Sequence, residues 1–159
     1  MSDMIQRFRS RTVLPVLALL VLAGCGDGET PFQVIEETEF AASLGIDLST
    51  MEELPTGVYI QDIELGTGDE AMLGDVVNVD YIGWLADGTE FNNFTDFDFS
   101  LDGVIPGFRD GIVGMQAGGT RKMVVPPDQA YGSAGNGTLI PPGAILVFQV
   151  TLNSVSAGS

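Results

Sequence analysis

The chain has no histidine, one cysteine, one tryptophan, and six lysines and arginines against 22 aspartates and glutamates. Without histidine there is no Ser-His-Asp or Cys-His nucleophile system, no imidazole proton shuttle and no ordinary His-containing zinc site. A lone cysteine forms no internal disulfide, so stability has to come from an ordinary core. Beyond residue 11 the only basic side chains are Arg109, Arg121 and Lys122. Binding along a phosphate backbone needs clustered Lys and Arg, which excludes nucleic acid as a partner. No apolar run reaches the roughly twenty residues of a membrane span. The 159 residues suit one domain with something extra at an end.

What is present begins with an export pattern. Arg7, Arg9 and Arg11 precede an apolar run from Thr12 to Ala23, the length of a secretory signal, so residues 1–24 read as a signal peptide. The run ends in Leu22-Ala23-Gly24-Cys25, which resembles the bacterial lipobox, whose cysteine is acylated and becomes the first mature residue. The resemblance implies lipidation at Cys25. Each buried CH2 contributes about 0.8 kcal/mol, so several acyl chains would anchor the protein to a membrane that it does not span. Gly26 stands where an aspartate commonly marks inner-membrane retention, which points to an outer membrane where there are two. The alternative is an ordinary signal peptide followed by an incidental cysteine. Removal of residues 1–24 leaves three basic and 21 acidic groups, a net charge of −18. Such a surface serves solvation in salt or repels anionic lipid and acidic clients.

Residues 25–54 read as the lipidated cysteine and an acidic tether, with eight acids, no base, and Phe32, Val34, Ile35, Phe40, Leu44, Ile46 and Leu48 scattered among them, which give it some ability to dock. As a flexible coil this stretch spans roughly 30 Å. The pattern from Glu39 to Leu54 allows a short helix, interrupted by Gly45. Beyond Pro55 the alternation takes a period of two. Val77, Val79 and Tyr81 share one face, and Asp87-Gly88 marks a hairpin turn that returns through Phe91, Phe97, Phe99 and Leu101. Strands are also expected over Arg121–Val125 and Ile145–Val155. Between them Phe108, Ile112 and Met115 recur at helical spacing behind Pro106, which predicts one short helix. The fold class is therefore α+β, an antiparallel sheet that buries one face against that helix.

The order of five stretches resembles the FKBP-type peptidyl-prolyl cis-trans isomerases: Val79-Asp80-Tyr81-Ile82-Gly83-Trp84, Asp87-Gly88-Thr89-Glu90-Phe91, Val104-Ile105-Pro106-Gly107-Phe108, Ala130-Tyr131-Gly132, and Ile140-Pro141-Pro142 with Leu146-Val147-Phe148. The resemblance covers residues 55–155 and leaves 156–159 as a tail. It implies a five- or six-stranded antiparallel sheet wrapped around the helix, with an apolar pocket between them. By position the catalytic set would be Tyr81, Phe91, Asn92, Ile105, Tyr131 and Phe148, with Phe97, Val104, Phe108 and Leu139 binding substrate and Phe108 as the pocket floor. The backbone N–H at Ile105 and the hydroxyl at Tyr131 would donate to carbonyls of the bound peptide. The implied partners are proline-containing flexible polypeptides and macrolide inhibitors, with no cofactor and no metal, on a monomer in the cell envelope.

Two departures from the family pattern stand out. Asn92 replaces the usual pocket aspartate, keeping a carbonyl acceptor but losing the charge, which predicts reduced turnover. The loop between Leu101 and Val104 is about two residues short. Other readings of the same residues stay open. Tyr, Phe and Ile at alternating positions also build plain core, and Trp84 and Phe99 are read that way. Asp96, Asp98 and Asp102 have a calcium-loop flavour, but Leu101 stands where that loop needs glycine and Gly107 where it needs a bidentate acid. A non-catalytic proline-binding holdase and a structural lipoprotein with a vestigial pocket remain as rivals. Rotation about a peptide bond breaks no covalent bond, so a chain without histidine has the means to catalyse it.

Overall fold

The period-two alternation becomes a single antiparallel sheet. In this computed structural model the described residues are 32–158, so the signal-like run, the lipobox-like motif and Cys25 lie outside them. The strands are β1 (Glu52–Glu53), β2 (Tyr59–Glu64), β3 (Val76–Leu85), β4 (Glu90–Ser100), β5 (Thr120–Val125) and β6 (Leu146–Ser156). They form one six-stranded sheet in the order β1-β2-β5-β6-β3-β4, and every neighbouring pair is antiparallel. The Asp87-Gly88 turn joins β3 to β4 as its sequence demands, with the Thr89 N–H donating to Asp87 Oδ1 at 2.8 Å.

Helix α1 (Pro106–Ile112) lies across one face of the sheet. Pro106 occupies a first-turn position, where its missing N–H leaves no bond unmade. Phe108 and Ile112 point into the core, and Met115, just past the helix end, is buried there as well. Gly107 sets the closeness of helix to sheet, because a Cβ there would overlap Val125 on β5. Arg121, also on β5, is buried with its charge matched. It donates to Asp62 on β2 through Nε at 2.6 Å and Nη2 at 3.1 Å, and to the Gly111 carbonyl at 3.0 Å. One side chain thus ties the helix end to two strands, and the forked geometry offsets its desolvation.

The opposite face of the sheet is also covered, by the stretch whose scattered apolar residues give it some ability to dock. Residues 32–51 do not form a free coil or the short helix allowed by their spacing. They run along the sheet as a strap with three single 3-10 turns, at Ile35–Glu37, Ala42–Leu44 and Leu48–Thr50. Ile35 and Leu44 are buried against Tyr59, Val124, Ile145 and Val147, with Phe40, Ile46, Leu48, Met51 and Trp84 packed around them. Polar contacts fix the strap at intervals. The Gln33 N–H donates to the Gly143 carbonyl at 3.0 Å, Gln33 Oε1 accepts from the Ile145 N–H at 2.9 Å, and the Ala41 N–H donates to the Ala86 carbonyl at 2.9 Å. Lys122 reaches the Leu44 carbonyl.

Tyr59 donates to Glu36 Oε1 at 2.7 Å. That bond first, and burial second, push the Tyr59 phenol up to about 12, and the same bond holds the Glu36 carboxyl below its ordinary value. The Tyr59 contribution to stability is complete below its ordinary 10.0 and is lost as pH rises from there through about 12. The Glu36 contribution is complete above its ordinary 4.5 and is lost as pH falls through its lowered folded value. The strap is therefore clamped across the whole neutral range.

Two outcomes are expected. Leu44→Ala removes a buried strap side chain and should lower unfolding free energy by about 2–5 kcal/mol in urea denaturation. A loss under about 0.5 kcal/mol would mean the strap is not docked in solution. In a phenolate absorbance titration the last of the three tyrosines should ionise near pH 12, and Glu36→Gln should bring it down towards 10.

Candidate active site

Between α1 and the inner face of the sheet, near the β3–β4 hairpin, lies a solvent-open cavity of about 320 Å³. Its walls are Tyr81, Phe91, Asn92, Phe97, Phe99, Gly103, Val104, Ile105, Phe108, Tyr131 and Phe148. Tyr81 stands on β3, and Phe91, Asn92, Phe97 and Phe99 on β4. Val104 and Ile105 lead into the helix that carries Phe108. Tyr131 comes from the loop after β5 and Phe148 from β6.

Two irregularities in β4 aim the rings. In a regular strand, residues three apart face opposite sides. Here Phe94 pairs with Tyr81 while Phe97 pairs with Val79, so Thr95 and Asp96 together oppose one residue. This bulge puts Phe94 and Phe97 on the same side, stacked with ring centroids 5.0 Å apart. Asp96 takes the left-handed conformation, φ 54°, and its N–H donates to Asp80 Oδ1 at 2.8 Å. The second irregularity is at Phe91, the extra residue between the pairs Gly83 with Asn92 and Trp84 with Glu90. Its ring lies directly over Gly83, where a Cβ would come within 2.7 Å of Phe91 and 3.0 Å of Phe148. Only glycine lets both rings sit on the backbone there.

The rings meet edge-on more than face-on. Phe108 and Phe148 are 4.8 Å apart and Tyr81 and Phe108 5.2 Å, while Phe91 meets Phe148 at 5.6 Å with planes 88° apart. Polar groups are few. Asn92 Nδ2 donates to the Tyr81 hydroxyl at 3.0 Å, and Asn92 Oδ1 accepts from the Asn93 N–H at 3.0 Å. The carbonyl acceptor that asparagine keeps at this position is thus engaged by the next residue along the strand. Burial raises the Tyr81 phenol above its ordinary value, with a smaller push from Tyr131. Among the described residues, the Ile105 N–H and the Tyr131 hydroxyl have no hydrogen-bond partner.

Nine of the ten peptide-site residues named from sequence line this cavity. Leu139 stands outside it, in an adjoining groove of about 420 Å³ that shares Phe91, Asn92 and Tyr131 and adds Phe94. Phe99, read as core, is in the wall and tilts against Phe108 at 5.7 Å. The signal for it was present, since alternation puts Phe99 on the same face as Phe97. Trp84 packs on the other side of the sheet, against the strap.

An antiparallel sheet wrapped on a short helix, holding a solvent-open aromatic cavity with a few neutral hydrogen-bond donors, defines a protein built to take up an apolar segment. Residues 68–153 match the family model for FKBP-type peptidyl-prolyl cis-trans isomerase. The chain is 39% identical over 105 residues to the FK506-binding protein of Neisseria meningitidis, an alignment covering 62% of this chain and 96% of that protein. It is 42% identical over 121 residues to the FKBP-type isomerase FkpA of Escherichia coli, covering 74% of this chain but only 43% of FkpA. The crystal structure of a peptidyl-prolyl cis-trans isomerase from Pseudomonas syringae superposes with a TM-score of 0.66 at 36% identity, covering 72% of this chain and 86% of that one. The chain belongs to the FKBP-type peptidyl-prolyl cis-trans isomerase family and is an isomerase of X-Pro peptide bonds.

Wall and floor should separate on substitution. Phe97 is 39% exposed and Phe108 5%. Phe97→Ala should weaken binding of a proline peptide while changing unfolding free energy by less than about 1 kcal/mol, whereas Phe108→Ala should cost about 3–5 kcal/mol. Isothermal titration and urea denaturation of the two variants check this.

Proposed function

We propose that the cavity receives the prolyl ring of a flexible polypeptide and that its own side chains lower the barrier to turning the bond before it. The observation that carries this reading is the pairing of an aromatic hollow of about 320 Å³ with donors that have no partner among the described residues, the Ile105 N–H and the Tyr131 hydroxyl. The uncatalysed barrier is about 18–20 kcal/mol and the exchange takes tens to hundreds of seconds. A thousandfold gain needs only about 4 kcal/mol. Amide resonance places charge on the carbonyl oxygen, and water stabilises that planar form. An apolar wall of Tyr81, Phe91, Phe97, Phe108 and Phe148 takes the water away and favours the twisted, less polar transition state. Donors aimed at the neighbouring carbonyls hold the chain while it turns.

In this reading the groove beside Leu139 takes the residues flanking the proline, because it opens from the cavity across Phe91, Asn92 and Tyr131. Macrolides that mimic a prolyl peptide compete for the same rings. The clients are exported or envelope proteins, met by an isomerase that Cys25 fixes to the membrane by its acyl chains, facing the periplasm or the exterior. The signal-like run and the lipobox-like Leu22-Ala23-Gly24-Cys25 support that placement.

The decisive experiment measures cis-trans exchange of a short X-Pro peptide by NMR with catalytic amounts of the protein, with and without a macrolide. Exchange should accelerate by orders of magnitude and the macrolide should abolish the gain. A peptide that binds while its exchange stays at the uncatalysed rate would establish the holdase reading instead.

A further inference from the structure

The orientation of the Asn92 amide is fixed by its surroundings. Its Oδ1 lies 3.0 Å from the Asn93 backbone nitrogen, a group that only donates. The reversed amide would set NH2 against N–H. The other end, Nδ2, must therefore face Tyr81, and at 3.0 Å it donates to the phenolic oxygen. An amide nitrogen accepts nothing, so the Tyr81 oxygen is the acceptor in this bond and its own proton remains to be placed. No described residue receives it. The ring lines the cavity, braced by Phe94 at 5.7 Å and Phe108 at 5.2 Å, so the hydroxyl is held in place. Burial also favours the protonated phenol, which keeps that proton available at all physiological pH values.

We propose that Tyr81 donates its hydroxyl proton to a backbone carbonyl of the bound client, and that Asn92 is the positioning residue that frees it to do so. A carboxylate at position 92 would act in the opposite sense. Ionised carboxylates only accept, so an aspartate would draw the Tyr81 O–H to itself and leave the client with one donor fewer. It would also return a negative charge to a wall that now carries none. On this reading the neutral residue at position 92 reassigns a hydrogen bond from the protein to the substrate. The inference rests on the isomerase reading of this cavity.

The test is a four-variant cycle on the full chain: native, Tyr81→Phe, Asn92→Asp and the double variant, each assayed for kcat/KM on an X-Pro peptide by NMR exchange. Tyr81→Phe keeps the ring and should lower kcat/KM by roughly five- to tenfold, the worth of one neutral hydrogen bond. In the Asn92→Asp background the same change should cost less than about twofold. A second readout is independent of turnover. The infrared amide band of a peptide carrying one 13C=O next to proline should shift to lower frequency on binding the native chain, and this shift should shrink in both Tyr81→Phe and Asn92→Asp. Accelerated exchange with equal losses from Tyr81→Phe in both backgrounds overturns the role of Asn92. Acceleration with no loss from Tyr81→Phe and an unmoved carbonyl band overturns the whole inference while the isomerase reading stands. No acceleration by the native chain fails the isomerase reading, and the carbonyl band then decides the donor alone.

Discussion

The cavity stays open because its rings brace one another. A ring quadrupole favours edge-to-face contact, and a ring held by two such contacts cannot fall into the space between them. Phe148 sits inside this arrangement, meeting Phe91 and Tyr81 edge-on at 5.6 and 6.3 Å and Phe108 at a tilt at 4.8 Å. It stands on β6 where the strand is buried on both faces, with Leu146 and Phe148 turned to the helix side and Val147 to the strap. Support for the cavity rings thus continues through the sheet to residues 32–51 behind it. A sheet solvated on one face would leave Val147, Val124 and Ile145 bare and β6 held from one side only.

The parts legible in the sequence are those with a regular period. Val77 and Val79 announce β3, Asp87-Gly88 its turn, and Leu146, Phe148, Val150 and Leu152 the inner face of β6, because each obeys the pleat. The helix was legible through Phe108 and Ile112, although Met115 falls past its end. The strap was not, since its apolar residues are spaced for single 3-10 turns and no helical or strand period selects them. The bulges in β4 were equally invisible. A two-residue repeat cannot forecast a register shift, and the shift is what lets Phe94 and Phe97 stack. The ten-residue site came from the resemblance of ordered motifs. Pattern alone gives core for the same rings, and the solvent-open cavity that separates the two readings is a three-dimensional fact.

The acids around β4 have local employment. Asn78 Nδ2 donates to Asp96 and Asp98, both at 3.0 Å, and Asn153 Nδ2 donates to Asp80 at 2.9 Å and to Asn78 at 3.0 Å. Asp80 in turn accepts the Asp96 N–H, and that bond, followed by the one from Asn153, holds the Asp80 carboxyl below its ordinary value. Two of the three residues that carry a calcium-loop flavour in the sequence, Asp96 and Asp98, fasten a bulge whose far side carries cavity aromatics, while Asp102 lies in the 3-10 turn Leu101–Gly103. A left-handed Asp96 is a strained position for a residue with a side chain, and this network is what over-determines it.

The chain carries a net charge of −16, yet no ionisable carboxylate lines the cavity. The two facts fit one mechanism. A rotating amide loses charge separation as it twists, so a wall of neutral rings is matched to the transition state, and a buried carboxylate would have to be stabilised by something the substrate does not bring. Surface acids many residues away are screened over about 8 Å at physiological salt. On the proposed function they bear on which polypeptides approach, and the chemistry inside is left to rings and neutral donors. Asn92 belongs to that separation. An amide at this position ties Tyr81 to the strand without importing the charge that the rest of the cavity excludes.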